Sequence, residues 1–363
     1  MHYLVTGGSG FIGRYVCERL AARGDRFTIL DLVPPDADAP AAARFVQGDV
    51  RDERAVRAAL EGCDAVFHLA AAHHDFGIAR DTYFDVNERG TALLCDAMDD
   101  VGLPELCFYS SVAIYGDAPE PHHEDSPTAP NNNYGASKLA GERVVRRWTE
   151  RGDGRRALVI RPTITFGRRN YANMYSLIRQ IAGGTFLPVG AMENVKSLSY
   201  VENLVDATLF LWDRRDRGAF EAYNWVEKPD MSSRQIADAI YASLGRTAPA
   251  WSVPLPLALA LATPFDLVIK LTGRNLPVSS MRIRKLASEQ TKFESDKARA
   301  AGFVPRHTLR EGIEAMVRWF VAEGRSRRPV WRVPPAVPPA FAVHPGGSRA
   351  DGPIDVRSPA PLT

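Results

Sequence analysis

Residues 2–31 run strand, glycine turn, helix, strand, acid, and no other stretch constrains the fold as tightly. His2-Tyr3-Leu4-Val5-Thr6 is a short apolar, β-prone run that breaks into Gly7-Gly8-Ser9-Gly10. From Phe11 and Ile12 to Leu20 the apolar residues recur with helical periodicity. Phe27-Thr28-Ile29-Leu30 is a second strand of the buried type, closed by Asp31. That order predicts a nucleotide-binding βαβ unit. Gly7 allows a sharp turn off the strand, Gly10 lets backbone approach a pyrophosphate, and Gly13 lets the helix sit close to the sheet. The free N–H groups and positive dipole end of the helix, at Phe11, Ile12 and Gly13, are then the phosphate site. Asp31 stands where a carboxylate accepts from ribose hydroxyls and repels a 2′-phosphate, and no arginine follows it directly. The expected cofactor is therefore NAD rather than NADP.

The alternation continues. Strands are expected at Arg44–Gln47, Ala65–Leu69, Leu106–Ser110 and Leu158–Arg161, with helices at Glu53–Glu61, about Asp81–Val101 and Tyr134–Arg151. Strands alternating with helices imply an α/β fold with a mostly parallel, doubly wound Rossmann-type sheet. We place this first domain at residues 1–165 and a smaller C-terminal α/β substrate lobe, interleaved with it, at 166–325. Residues 326–363 are dense in Pro, Gly, Ala and Arg and read as a disordered tail. Val253–Leu271 is rich in Leu and Ala but interrupted by Pro254, Pro256, Pro264, Asp266 and Lys270. It reads as a packed helix or a cap over the substrate site, with a membrane-surface element as the alternative and no membrane span.

The 363 residues carry a net charge of +2, which gives no reason to expect nucleic acid. Cys17, Cys63, Cys95 and Cys107 lie far apart in apolar or helical contexts and read as buried thiols of a reducing compartment. With a strand already opening at residue 2, the expected location is cytoplasmic. His73-His74-Asp75 has no accompanying ligand cluster, so it reads as a loop beside the substrate cleft, with no metal.

The chemistry is expected from Tyr134 and Lys138, four apart and hence on one helix face, together with Ser110-Ser111 at a strand end. A phenol with a pKa near 10 is a poor base at neutral pH. A neighbouring ammonium and a positive nicotinamide ring both lower it. Tyr134 is then the candidate base, with Ser111 holding the substrate oxygen.

TGGSGFIG at Thr6–Gly13, Asp31, Gly48-Asp49-Val50, His68-Leu69-Ala70-Ala71, Asn87 with Gly90-Thr91, SSVAIYG at Ser110–Gly116, YGASK at Tyr134–Lys138 and Arg161-Pro162-Thr163 occur in one order. With them the chain resembles an extended short-chain dehydrogenase/reductase of the NAD-dependent epimerase/dehydratase family, which acts on nucleotide sugars. The resemblance implies that Asp49 and Val50 lie at the adenine. Leu69, Ala70, Ala71, Ser110 and Pro162 would lie along the cofactor, Lys138 would hold the nicotinamide ribose, and Asn87 would support the active-site helix and its proton relay. Relatives that are 4,6-dehydratases carry an Asp-Glu pair directly after the catalytic Ser/Thr; here the positions are Val112 and Ala113. The resemblance therefore favours a 4-epimerase, with a keto-sugar reductase or a non-catalytic nucleotide-binding scaffold as alternatives. It also implies Lys196 at the substrate diphosphate, with Arg168, Arg169, Asn173, Arg282 and Arg284 as further candidates. A homodimer would pair the helices about Asp81–Val101 and Tyr134–Arg151 into a four-helix bundle.

Overall fold

The computed structural model describes residues 1–73, 77–214, 218–272, 280, 291–327 and 334–339. The chain opens as β1 (His2–Thr6), α1 (Phe11–Ala22), β2 (Arg26–Asp31), β3 (Arg44–Gln47), α2 (Glu53–Leu60) and β4 (Ala65–His68). The buried, β-branched and aromatic content of these strands suits a sheet covered on both faces. Next come α3 (Arg80–Phe84), a π-helical turn at Asp85–Arg89, and α4 (Gly90–Asp100). The expected single helix over this stretch therefore carries a wide turn in its middle, and Asn87 lies on it. π-Turns inside helices cluster at functional sites because they re-aim one side chain.

After β5 (Glu105–Tyr109), α5 (Asn133–Glu150) starts where the Asn132 side chain accepts from the Gly135 N–H, and β6 (Arg156–Pro162) follows it. The chain continues with β7 (Ile164–Phe166), α6 (Asn173–Ala182), β8 (Val195–Lys196), β9 (Leu198–Tyr200) and α7 (Val201–Trp212), and α7 packs back on the central sheet, with Trp212 against Tyr3 and Phe67. Then come β10 (Phe220–Trp225), β11 (Met231–Ser232), α8 (Ser233–Ser243), α9 (Leu255–Thr272), α10 (Asp296–Ala300) and α11 (Leu309–Ala322).

Seven strands form one parallel sheet in the order β3-β2-β1-β4-β5-β6-β10. The strand β10 was not legible in the sequence, because it follows a long stretch without regular alternation. It pairs with β6 from Phe220↔Ala157 to Trp225↔Pro162, so the chain returns to the first layer before building the rest of the lobe. The order reverses between β1 and β4, and doubly wound sheets bind ligands in the crevice at that point. A third core, centred on Ile178, Ile240, Ile313 and Met316, holds α6, α8 and α11 together as the second lobe. Of the expected tail, only residues 326–327 and 334–339 fall among those described.

Candidate active site

A cleft of about 440 Å³ opens over the C-terminal ends of β1, β4 and β5. Gly7 turns off β1 with φ +71°, and a Cβ on Gly13 would sit 2.2 Å from the Gly7 carbonyl oxygen. The turn and the start of α1 are thus in direct backbone contact. No side chain caps α1 and no acid stands in its first turn, so its leading N–H groups face the cleft unneutralised. That is the donor set a pyrophosphate needs.

Asp31 lines the cleft and is held by two backbone donors, the N–H of Ser9 at 3.0 Å and of Val33 at 3.3 Å. Asp49 also lines it, but its carboxylate is taken by Arg51 at 2.7 and 2.9 Å. Arg51 reaches on to the carbonyls of Pro335 and Ala336, and Pro334 lines the cleft. A short piece of the expected tail therefore lies against this end of the site, because a charge-paired guanidinium offers its spare donors to bare carbonyls.

At the other end, Leu69, Ala70, Ala71, Ser110, Ser111, Tyr134, Lys138 and Pro162 share the cleft wall. The Ser110 hydroxyl is buried without a hydrogen-bond partner among the described residues, so the wall offers a ready donor. The Ser111 hydroxyl accepts from the Ala113 N–H at 3.2 Å. Lys138 is buried with its ammonium 4.5 Å over the Phe108 ring. Burial pulls its pKa down to about 7, opposed by Glu142 one turn further along α5. Glu142 is itself held by Arg161 through two contacts of 2.9 and 2.7 Å, and Arg161 also donates to the Tyr115 hydroxyl. Arg161 is thus committed to the core behind the site.

Asn87 does not line the cleft. Its Oδ1 accepts from Ala72 N–H at 2.8 Å, and its Nδ2 donates to the Ala72 carbonyl and to Ser137 Oγ, both at 2.9 Å. This ties the small-residue loop after β4 to the helix carrying Tyr134, with every amide position used. His68 extends the network beneath it. Burial holds its pKa down to about 3, so the ring is neutral. The Thr91 hydroxyl donates to the Asn87 carbonyl, so it can only accept from His68 Nε2. His68 Nδ1 accepts in turn from Thr6, whose oxygen accepts from Ala70 N–H.

The expected substrate residues scatter more. Arg169 is drawn to Asp38, which also takes Arg14, so it faces the loop after β2. Arg168 pairs with Glu202. Asn173 opens α6 as an exposed residue and lies just outside the cleft, while its neighbours Asn170 and Ala172 line it. Lys196 sits on β8, paired in register with Met231, and does not line the cleft. Arg282 and Arg284, with His74 and Asp75, lie outside the described residues; His73 is on the cleft wall. The sequence reading gave no site role to Thr163, Ile164 and Thr165, which line the cleft in succession after Pro162.

The arrangement joins the uncapped start of α1, the Asp31 carboxylate and a Ser/Tyr/Lys wall in one cleft. The chain is similar to the following known proteins. The model of the NAD-dependent epimerase/dehydratase family matches residues 3–225. The N-acetyl-alpha-D-glucosaminyl-diphospho-ditrans,octacis-undecaprenol 4-epimerase of Escherichia coli O157:H7 is 37% identical over 317 residues, covering 87% of this chain and 94% of that one. Among solved structures, the UDP-glucose 4-epimerase of Thermus thermophilus in complex with NAD superposes with a TM-score of 0.69 at 24% identity, over 89% of this chain and 100% of that one. A dTDP-glucose 4,6-dehydratase from Streptomyces venezuelae with NAD and TYD bound gives 0.70 at 24%, over 89% and 98%.

Proposed function

The chain belongs to the NAD-dependent epimerase/dehydratase family, and from that membership we propose that it is a nucleotide-sugar 4-epimerase with Tyr134 as its base. NAD, when bound, supplies a reversible hydride acceptor. The uncapped start of α1 would hold its phosphates, Asp31 its adenosine ribose, and Ser110 would donate from the cleft wall. Tyr134 takes the proton of the sugar's C4 hydroxyl. Ser111 donates to the same oxygen as it becomes a carbonyl, and Lys138 favours the phenolate from one turn along the helix. Once the keto-sugar has turned over, Tyr134 returns its proton to the C4 oxygen while the hydride would go back to the opposite face of C4, which inverts that centre.

The observation that carries this reading is the single cleft shared by Ser111, Tyr134 and Lys138, with the proton-inert Val112 and Ala113 following the serine. Lys196 is retained as the proposed diphosphate contact. By the same reading the chain works as a dimer through α3–α4 and α5, which light scattering tests.

The test is isotopic. With a nucleotide sugar deuterated at C4, product should keep the label at that carbon with inverted configuration and no net NADH. Loss of label to solvent, or a strict need for added reduced cofactor, overturns the epimerase in favour of a keto-sugar reductase. A protein that binds the sugar and changes nothing would be the scaffold.

A second reading replaces the nucleotide by a polyprenyl diphosphate carrier. It is supported by the Escherichia coli relative, whose 317-residue match extends past the family model into the second lobe. Turnover of UDP-N-acetylglucosamine against its prenyl-diphosphate counterpart in detergent discriminates the two.

A further inference from the structure

One buried line of hydrogen bonds runs from the glycine turn after β1 to the helix that carries Tyr134, and His68 stands in its middle. Thr6 closes β1, His68 closes β4, and Thr91 lies in the first turn of α4. All three are buried. The direction of every bond follows from the two ends. The Asn87 carbonyl can only accept, so the single hydroxyl proton of Thr91 goes to it, at 2.8 Å. Thr91 must then accept from His68 Nε2, 3.1 Å away, which puts the ring proton on that nitrogen. Because burial keeps the ring neutral, Nδ1 holds a lone pair and accepts from Thr6 Oγ1 at 2.6 Å. Thr6 accepts in turn from the Ala70 N–H at 3.2 Å.

Each end is tied to a working part of the cleft. At the Ala70 end, a Cβ on Gly7 would lie 2.7 Å from the Ala70 nitrogen, so the glycine turn rests directly on this residue. Gly7 and Ala70 both line the cleft. The other end is the π-helical turn at Asp85–Arg89, a minority geometry that needs support from its neighbours. Its Asn87 carbonyl is pressed on α5, where a Cβ on Gly141 would lie 2.5 Å away. The Asn87 amide donates to Ser137 Oγ at 2.9 Å, and that hydroxyl donates to the Tyr134 carbonyl at 2.8 Å. The His68 ring also tilts against Phe108 at 5.6 Å, the ring over which the Lys138 ammonium sits. A protonated His68 would place a second cation beside Lys138 and turn the Thr6 bond around.

We propose that His68, in its Nε2–H form, is a positioning residue that holds the glycine turn and the catalytic helix in one register. The Thr6 side acts on cofactor affinity and the Thr91 side on turnover. The turnover half rests on Tyr134 as the base; the link itself does not.

The test separates shape from hydrogen bonding at each end. Valine in place of threonine keeps the shape and removes the hydroxyl, whereas serine keeps the hydroxyl and removes a methyl. Thr91→Val should lower kcat by up to about 10²-fold, the scale of a small misplacement at a reacting group. The KM for the nucleotide sugar and the affinity for NAD should change little. Thr6→Val should weaken NAD binding about fivefold, the worth of one hydrogen bond. It should lower kcat at saturating NAD far less than Thr91→Val does. Thr91→Ser and Thr6→Ser should both restore native behaviour. Valine variants with native constants overturn the proposal, as do serine variants as impaired as the valine ones, which would mean packing alone. So do two valine variants that move the same parameter alike. Should the valine variants fail to fold, nitrogen NMR of the native chain decides. The His68 ring, assigned by its loss in His68→Gln, should carry its proton on Nε2 alone from about pH 5 to pH 8. A proton on Nδ1, or a charged ring, overturns the proposal. If Tyr134→Phe keeps native turnover, the proposed base is wrong, and NAD affinity in the Thr6 variants and the position of the ring proton still decide the link.

Discussion

Gly135 stands so close to Ala113 that a Cβ on the glycine would lie 2.3 Å from the alanine's carbonyl oxygen. The contact joins the residue after Tyr134 on α5 to the turn after Ser111, and it sets the spacing of the two candidate catalytic side chains. Gly135→Ala should therefore push the phenol and the hydroxyl apart. Overpacking of this kind costs about 1–3 kcal/mol. We expect a lower melting temperature and a fall in kcat larger than any change in cofactor affinity, measured by calorimetry and steady-state kinetics.

Tyr134→Phe keeps the ring and removes the hydroxyl. Turnover should fall by about 10² to 10⁴, the range of a lost general base. Bound NAD, assayed by absorbance after denaturation, should be unchanged, because the glycine turn and Asp31 lie at the far end of the cleft. Near-native turnover would assign the proton to another group.

On the proposed reading, Asp31 governs the choice of dinucleotide. NAD should bind more tightly than NADP, and Asp31→Asn should narrow the ratio of their dissociation constants by removing the charge a 2′-phosphate meets. Because Ser9 and Val33 both donate to this carboxylate, the same change should weaken NAD binding as well. A ratio that does not move would place the 2′-position elsewhere.

Lys138 makes stability depend on pH. Its folded pKa of about 7 lies below the unfolded value, about 10.4 for a free lysine. Between the two the unfolded chain holds more protons, so this group's contribution makes stability rise with pH across that window. In cofactor-free protein, the native chain should gain on Lys138→Met by up to about 1.4 kcal/mol per pH unit there. Urea unfolding at several pH values reads it; parallel curves would mean that the amine is solvated.

The contact of Arg51 with Pro335 and Ala336 predicts that the far end of the chain slows cofactor exchange. A chain ending at Arg327 should release NAD faster in a stopped-flow displacement assay while retaining turnover at saturating NAD. Equal release rates would make the contact incidental.

The sequence alone determined the nucleotide-binding half of this protein. The run from β1 to Asp31, the alternation as far as β6 and the Ser/Tyr/Lys set are local patterns. Periodicity decides which face is buried, glycine decides where backbone must turn or approach, and a spacing of four puts Tyr134 and Lys138 on one line. Even there the resemblance implied that Asn87 supports the active-site helix, but the contacts by which it does so were not legible, because its partners Ala72 and Ser137 are 15 and 50 residues away. Beyond Pro162 the decisive contacts are long-range. Whether Phe220–Trp225 joins the sheet depends on β6 leaving an open edge. Arg169 and Lys196 look alike as cations in the sequence, and only the fold brings Asp38 to the first. Val253–Leu271 read as a packed helix or a cap, with a membrane-surface element as the alternative; tertiary packing buried Ala258 and Ala262 and left Leu257, Leu261 and Phe265 exposed. A pattern in sequence says which residues share a face. Only the assembled neighbours decide what that face meets.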